Sequence, residues 1–381
     1  ATTINANNTD GVVITPDTSG ELELQANGVT KAKVTANGLQ DANGNSLRGG
    51  MYRNLIINGD MRIDQRNSGS EINPVANNTY SVDRWNLRSG TTSLFKFQQN
   101  AGSVTPPEDF TNYLGITSLS SHTVGATEIS DIRQGIEGQN IAHLKWGTAD
   151  AKTVTVSFWV RSSLTGTFGA SLSNTSANRC YPFSYSITSA NTWEKKTITI
   201  DGDTTGTWST DNTIGIRITF SLGTGTTYSG TSGAWTSSLH LSVTGATSLV
   251  GTSGATLYIT GVQLEVGEGA SDFEFLPYDV QLARCQRYFQ TIGSFVASTI
   301  STNQTVVVGC YSLYCPMRAD PSLYTFNGSF HKPGVAFYTI SSFSSLQNYQ
   351  GNSYTTFNIA SGAGSGVDGN YNGTLQLQAE L

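Results

Sequence analysis

Apolar and polar residues alternate along much of this chain with the two-residue period of a strand. In Thr153–Val160 the residues Val154, Val156, Phe158 and Val160 share one face, which turns Trp159 to the other. Ile214, Ile216, Ile218 and Phe220 repeat the pattern with Arg217 and Thr219 opposite, and Ile198 and Ile200 alternate with Thr197 and Thr199. In Leu257–Leu264 the phase slips by one residue at Thr260-Gly261, a slip that a glycine bulge absorbs. Many such strands, with Gly-rich turns between them, predict an all-β chain whose residues 53–279 form a two-sheet jelly-roll sandwich. One helix interrupts the pattern. Asp279 is a candidate N-cap, and Leu282, Cys285 and Phe289 line one face of Val280–Gln290, so residues 280–292 read as a linker helix. Alternation resumes afterwards and ends with Leu375, Leu377, Ala379 and Leu381 against Gln376, Gln378 and Glu380. Residues 293–381 therefore read as a small terminal β domain with aromatic, Ser/Gly-rich loops.

The first 52 residues differ from the rest. Ala-Asn-Gly recurs at 26–28, 36–38 and 42–44, and Asn-Gly favours tight hairpin turns. The runs between carry two or three apolar residues each, such as Leu22 and Leu24, or Ala32 and Val34 opposite Lys31 and Lys33. A hairpin ladder of this size cannot bury a core alone. It needs copies of itself around an axis, and we expect a slender stem in a homotrimer.

Composition narrows the function. A chain of 381 residues suits two or three domains. Charged residues are only 13% while aromatics reach 10%, which argues for folded strands with polar outer faces rather than disorder. The net charge of −6 and the lack of a basic patch make nucleic acid a poor partner. No run approaches the length of a membrane span, so no membrane insertion is expected. Cys180, Cys285, Cys310 and Cys315 form neither a zinc spacing nor a disulfide framework, and we expect no metal and no cofactor. The start, Ala1-Thr2-Thr3-Ile4-Asn5, lacks the basic and apolar regions of a signal peptide, which leaves a mature fragment or a part released by cell lysis.

Several separated blocks resemble one family. Arg53–Met61 with Gln65-Arg66, Tyr80–Trp85, Ile132–Glu137, Val156–Arg161, Trp193–Ile200 and Tyr258–Gly267 occur in the order of a jelly-roll domain common in tail fibres of tailed bacteriophages. Phe273-Glu274 and Leu282–Tyr288 extend the closing block, and the first 50 residues also resemble the N-terminal segments of such fibres. The same domain is similar to carbohydrate-binding jelly rolls of glycosidases, which often hold a structural calcium. Asp60 matches the acidic position after the first strand, but Thr260 and Gly261 stand where the family has an Asp pair. The resemblance implies a virion fibre protein that attaches to host surface polysaccharide or lipopolysaccharide, bound to other virion proteins through its stem. The rival implications are a purely structural capsid, collar or tail protein and a polysaccharide depolymerase.

Catalytic signatures are missing. His122, His143, His240 and His331 are not clustered at ligand spacing, and there is neither a G-x-S-x-G elbow nor a phosphate loop. Glu265 with Glu268, and Asp272 with Glu274, are close in sequence but sit beside the closing strand, where they read as solvated edge residues. Asp201-Gly202-Asp203 reads as a hairpin turn. We therefore expect a binding protein, not an enzyme. Sugar rings stack their C–H faces on aromatic side chains. Trp85 reads as core. Trp208 and Trp235, in Gly/Thr/Ser loops, and Tyr324, His331, Tyr338 and Tyr349 of the terminal domain are the candidate glycan contacts.

Overall fold

The computed structural model describes residues 21–26, 29–35, 38–41 and 52–381, apart from 74, 92, 294, 300–306, 313, 320–321, 333–335, 350–351 and 360–367. For the strand residues of 295–312 and 323–374 it describes the backbone alone.

Three antiparallel strands open the chain: β1 (Leu22–Ala26), β2 (Val29–Thr35) and β3 (Gly38–Asp41). The register sets Leu22 and Leu24 opposite Val34 and Ala32, and Val34 opposite Leu39, so the apolar residues gather on one face. Leu24, Val34 and Leu39 are 42–48% exposed within a single chain.

The central unit is a two-sheet antiparallel sandwich. Its strands are β4 (Thr79–Tyr80), β5 (Asn86–Ser89), β6 (Phe95–Gln99), β7 (Leu114–Ser118), β8 (Ile129–Glu137), β9 (Val154–Ser162) and β10 (Gly166–Ser173). Then follow β11 (Cys180–Ile187), β12 (Glu194–Ile200), β13 (Ile214–Thr224), the short parallel pair β14 (Ser229–Gly230) and β15 (Ser242–Val243), and β16 (Thr256–Val266). One sheet runs β11-β10-β13-β8-β5-β4 and the other β12-β9-β16-β7-β6. The alternation read from the sequence sets the core. Val154, Val156, Phe158 and Val160 of one sheet are fully buried, as are Ile216, Ile218 and Phe220 of the other. Phe158 meets Phe220 edge to face at 5.0 Å, which joins the two layers. Trp85 is buried beside Phe220, and its Nε1 donates to the Asn58 carbonyl at 2.9 Å. The phase slip in β16 is a bulge: the register against β9 shifts between Thr260 and Gln263, and Gly261 takes φ +61°.

The helix is shorter than expected. α1 spans Tyr278–Gln286 with Pro277 at the N-cap position, and Asp279 lies in its first turn without a capping hydrogen bond. Phe289, read as helical, instead begins strand β17 (Phe289–Ile292), where the pairing of Phe289 with Gln378 wins over helix continuation. Strands β18 (Phe295–Thr299), β19 (Val307–Ser312), β20 (Ser322–Lys332), β21 (Ala336–Tyr349), β22 (Asn352–Ile359) and β23 (Asp368–Gln378) complete an antiparallel sheet. Its order is β17-β23-β18-β19-β22-β21-β20, and a further β23–β20 pairing closes the ring. Closure pairs both edges of every strand except β17, which pairs with β23 alone. Leu375, Leu377 and Ala379 are buried, in phase with the terminal alternation.

Candidate functional site

The outer face of the five-stranded sheet follows from the same alternation that builds the core. With Val154, Val156, Phe158 and Val160 inward, Thr155, Ser157, Trp159 and Arg161 of β9 point outward. The register places Lys195 of β12 and Thr260 of β16 on either side of Trp159, and Tyr258 beside Arg161. Two segments fold back over this face. Residues 267–274 are held by Thr155 Oγ1 donating to the Gly267 carbonyl at 2.6 Å, and by Glu265, which accepts from the Ser271 amide and hydroxyl at 2.8 and 2.7 Å. Residues 100–113 are held opposite. The Tyr113 hydroxyl donates to the Ala101 carbonyl at 2.6 Å, Trp193 Nε1 donates to the Thr105 carbonyl at 2.9 Å, and Thr260 Oγ1 donates to the Asn112 carbonyl at 2.7 Å.

Between these walls lies a groove of about 550 Å³. Trp159, Ser157 and Lys195 line it from the sheet, Glu108, Asp109 and Phe110 from one wall, and Asp272, Phe273 and Phe275 from the other. The three phenylalanine rings meet across it, with centroids 4.9–5.2 Å apart. Phe275 is 46% exposed, while Trp159, Phe110 and Phe273 are half-buried. Gly261 makes this closure possible. A Cβ there would stand 2.7 Å from Phe110 Cζ and 3.1 Å from the Trp159 ring. Ser157 is 4% exposed at the floor, and its hydroxyl has no hydrogen-bond partner among the described residues. Glu108, Asp109 and Asp272 make no ion pair among the described residues. Beside the groove Tyr113 and Tyr258 are buried and the half-buried Trp193 packs against them, with the Arg161 guanidinium 5.4 Å above the Tyr258 ring. A half-exposed aromatic surface edged with polar groups, on a rigid sheet, has the form of a site for ring-shaped, hydroxyl-rich ligands.

The residues singled out from the sequence fall elsewhere. Trp208 and Trp235 are not exposed loop indoles. Trp208 is 7% exposed and packs edge to face on Trp146 at 4.7 Å and Trp235 at 5.5 Å, and Trp235 is half-buried against Tyr181. All three indole N–H groups are used internally, donating to the Lys152 carbonyl, to Asp203 and to the Asp201 carbonyl. Tyr324 and His331 lie in β20, and Tyr338 and Tyr349 in β21, so these four belong to strands rather than loops; their side chains lie outside the described residues. Sequence reading turned Trp159 outward but missed Phe110, Phe273 and Phe275.

The carboxylates read as solvated edges are partly structural. Glu265 is 1% exposed, and Glu274 accepts from the Arg53 and Asn54 amides. Asp203 is 2% exposed and grips Arg179 through two bonds of 2.7 and 2.6 Å. Burial pushes its carboxyl up, and the Arg179 and Thr205 bonds outweigh that, holding it low. The family calcium does not fit here. Asp60 is ion-paired with Arg62, the Thr260 hydroxyl is committed to Asn112, and Gly261 has no side chain to offer. Among the described residues no three metal-ligating side chains converge.

No protein-family model matches this chain, and no curated protein matches it either. Solved structures align with part of this chain. The enzymatically active domain of tailspike protein 4 of bacteriophage CBA120 aligns with 56% of this chain at 12% identity and a TM-score of 0.32. That alignment covers 22% of the tailspike chain, well under two thirds of its length. A putative sugar-binding protein of Bacteroides thetaiotaomicron aligns over 56% of this chain and 99% of its own, at 11% identity and a TM-score of 0.32. A family 11 carbohydrate-binding module of Clostridium thermocellum, in complex with a β-1,3-1,4-mixed-linked tetrasaccharide, aligns over 53% and 97%, at 12% identity and a TM-score of 0.25.

Proposed function

We propose that this chain is a virion fibre protein, a phage tail-fibre adhesin that holds host surface polysaccharide or lipopolysaccharide in the groove over Trp159. The observation that carries the reading is the 550 Å³ groove itself, with three phenylalanine rings and an outward tryptophan beside an unpartnered Ser157 hydroxyl. The exposed apolar face of Leu24, Val34 and Leu39 supports a homotrimeric stem, through which the fibre joins other virion proteins. In this reading the closed terminal barrel is the distal tip. Single-site glycan affinity is weak, and three grooves per fibre raise avidity without any new contact.

A second reading has one observation in its favour. Glu108 and Asp109 face Asp272 from opposite walls, and a depolymerase needs two carboxylates flanking the scissile bond. Size-exclusion chromatography of labelled host polysaccharide separates the readings. Co-elution of intact polymer that is lost in Trp159→Ala supports the adhesin. A shift of label to small fragments, abolished in Asp272→Asn, supports the depolymerase. No change in the polymer's elution leaves a purely architectural fibre and sinks both.

A further inference from the structure

The rim of the groove is charged, and its charge is one-sided. Glu108, Asp109 and Asp272 contribute three carboxylates, and Lys195 is the one cationic side chain that lines the groove. None of the three carboxylates is neutralised by an ion pair among the described residues. Lys196, next along β12, is committed to Glu194 at the far side of its strand. Arg53, behind Asp272, donates to that residue's backbone carbonyl and faces Glu265.

From this we infer that the groove selects an amine-bearing glycan, a polymer whose sugar rings carry protonated amino groups, over its N-acetylated or acidic counterparts. The inference rests on the reading of the groove as a glycan site and names the class it takes. A sugar ring lying on Trp159 and Phe275 buries its C–H face, and its equatorial substituents then point at the two walls. An ammonium there meets Asp272 on one side and Glu108 or Asp109 on the other, with aromatic faces beneath that also attract a cation. A uronate in the same place meets the same three carboxylates and is repelled. An acetamide gains none of the charge-assisted bonds. Besides the charged rim the groove offers few hydrogen-bonding groups, the Ser157 hydroxyl and the Trp159 indole among the side chains that line it.

The direct measurement is calorimetric titration of the full chain with a β-1,4-glucosamine hexamer, its fully N-acetylated form and a galacturonate hexamer, at 50 and 500 mM NaCl. Contacts between exposed opposite charges are each worth a few-fold in affinity, so the amine hexamer binds about tenfold more tightly than the acetylated one at low salt. The preference shrinks at high salt, because the rim charges are screened. Glu108→Gln with Asp272→Asn brings the two affinities within about twofold. Equal or tighter binding of the acetylated or the uronate hexamer overturns the inference. So does amine binding that survives Trp159→Ala, which would be attraction to the chain's net negative charge rather than to the groove. Co-elution of host polysaccharide without an amine preference refutes the selectivity alone, whereas loss of both refutes the glycan site as well.

Discussion

The sandwich and the terminal barrel are joined by a buried ionic clasp, and its removal has a calculable cost. Glu380, just past β23, accepts from Arg66 at 2.9 Å and pairs with Arg84; both guanidinium side chains are 1% exposed and the carboxylate 7%. The two arginines also lie over aromatic rings at the start of the barrel. Arg84 sits 3.4 Å above Tyr288 and Arg66 3.8 Å above Phe289. Among the described residues Glu380 is the only carboxylate in ion-pair contact with Arg84, whose other nitrogen Nη2 donates to the Gly135 carbonyl at 2.7 Å. Glu380→Gln keeps the shape and removes the charge that pairs with both buried cations, while Asp83 lies 4.0 Å from Arg66. Breaking a buried pair by removing one partner costs roughly 3–5 kcal/mol. For a cooperative unit of 150–250 residues each kcal/mol lowers Tm by about 2–4 °C, so the expected fall is roughly 6–20 °C. Differential scanning calorimetry reads it. A loss below about 1 kcal/mol, the range of an exposed pair, refutes the clasp. Replacing Glu380, Arg66 and Arg84 together by Leu and Met separates charge from packing: if the cost is uncompensated charge, the triple variant recovers most of the stability.

Three further outcomes follow from named residues. Gly261→Ala forces a side chain into φ +61° and toward Phe110, costing about 1–2 kcal/mol in chemical denaturation. The same substitution weakens polysaccharide binding by displacing Phe110; unchanged affinity would detach the bulge from the groove. Asp83 is raised to about 6, because burial outweighs its attraction to Arg66. A raised carboxyl pKa means the folded state holds its proton more tightly, so this group's contribution to stability falls as pH rises from about 4 to 6. The difference in unfolding free energy between Asp83→Asn and wild type should therefore shift by about 2 kcal/mol in favour of the variant from pH 4 to pH 7, and a pH-independent difference contradicts the assignment. In the stem, Val34→Asp places a charge on the exposed apolar face and should convert a trimer to monomers in sedimentation velocity; a monomeric wild type with an ordered stem would refute the stem argument.

Much of the fold was legible because a period of two is a local signal. The strands around Val154–Val160 and Ile214–Phe220, the bulge at Gly261 and the outward turn of Trp159 all follow from residues a few positions apart. Other features depend on contacts that local composition hides. Trp208 and Trp235 sit in Gly/Thr/Ser segments that read as solvent loops, yet with Trp146 they close into a cluster whose N–H groups are satisfied by neighbouring carbonyls and Asp203. Closure of the terminal barrel rests on β20 pairing with β23 across the 35 residues between Lys332 and Asp368, which no periodicity announces. Phe289 carried a helical phase but had a strand partner in Gln378.

The groove was the least legible feature, and the reason bears on how its polar groups are understood. Phe110 lies near the end of one covering segment and Phe273 and Phe275 in another, more than 160 residues apart, and they meet only because Thr260, Thr155 and Glu265 bind both segments to the outer sheet face. Those three polar residues are 0–1% exposed and spend their hydrogen bonds inside the chain. Asp203, Glu137 and Glu380 behave alike, each held by an arginine. Against that background the rim of the groove stands apart. Its three carboxylates are exposed, face half-buried aromatic rings and have no ion-pair partner among the described residues, and the Ser157 hydroxyl below them is nearly buried yet unbonded. Buried hydroxyls elsewhere in the sandwich, among them those of Ser171, Ser173 and Thr219, also lack a hydrogen-bond partner, but none of them lines the groove. Polar groups left unpaired beside exposed rings on a rigid sheet are those a ligand would satisfy, whereas the indoles of Trp146, Trp208 and Trp235 already have internal partners.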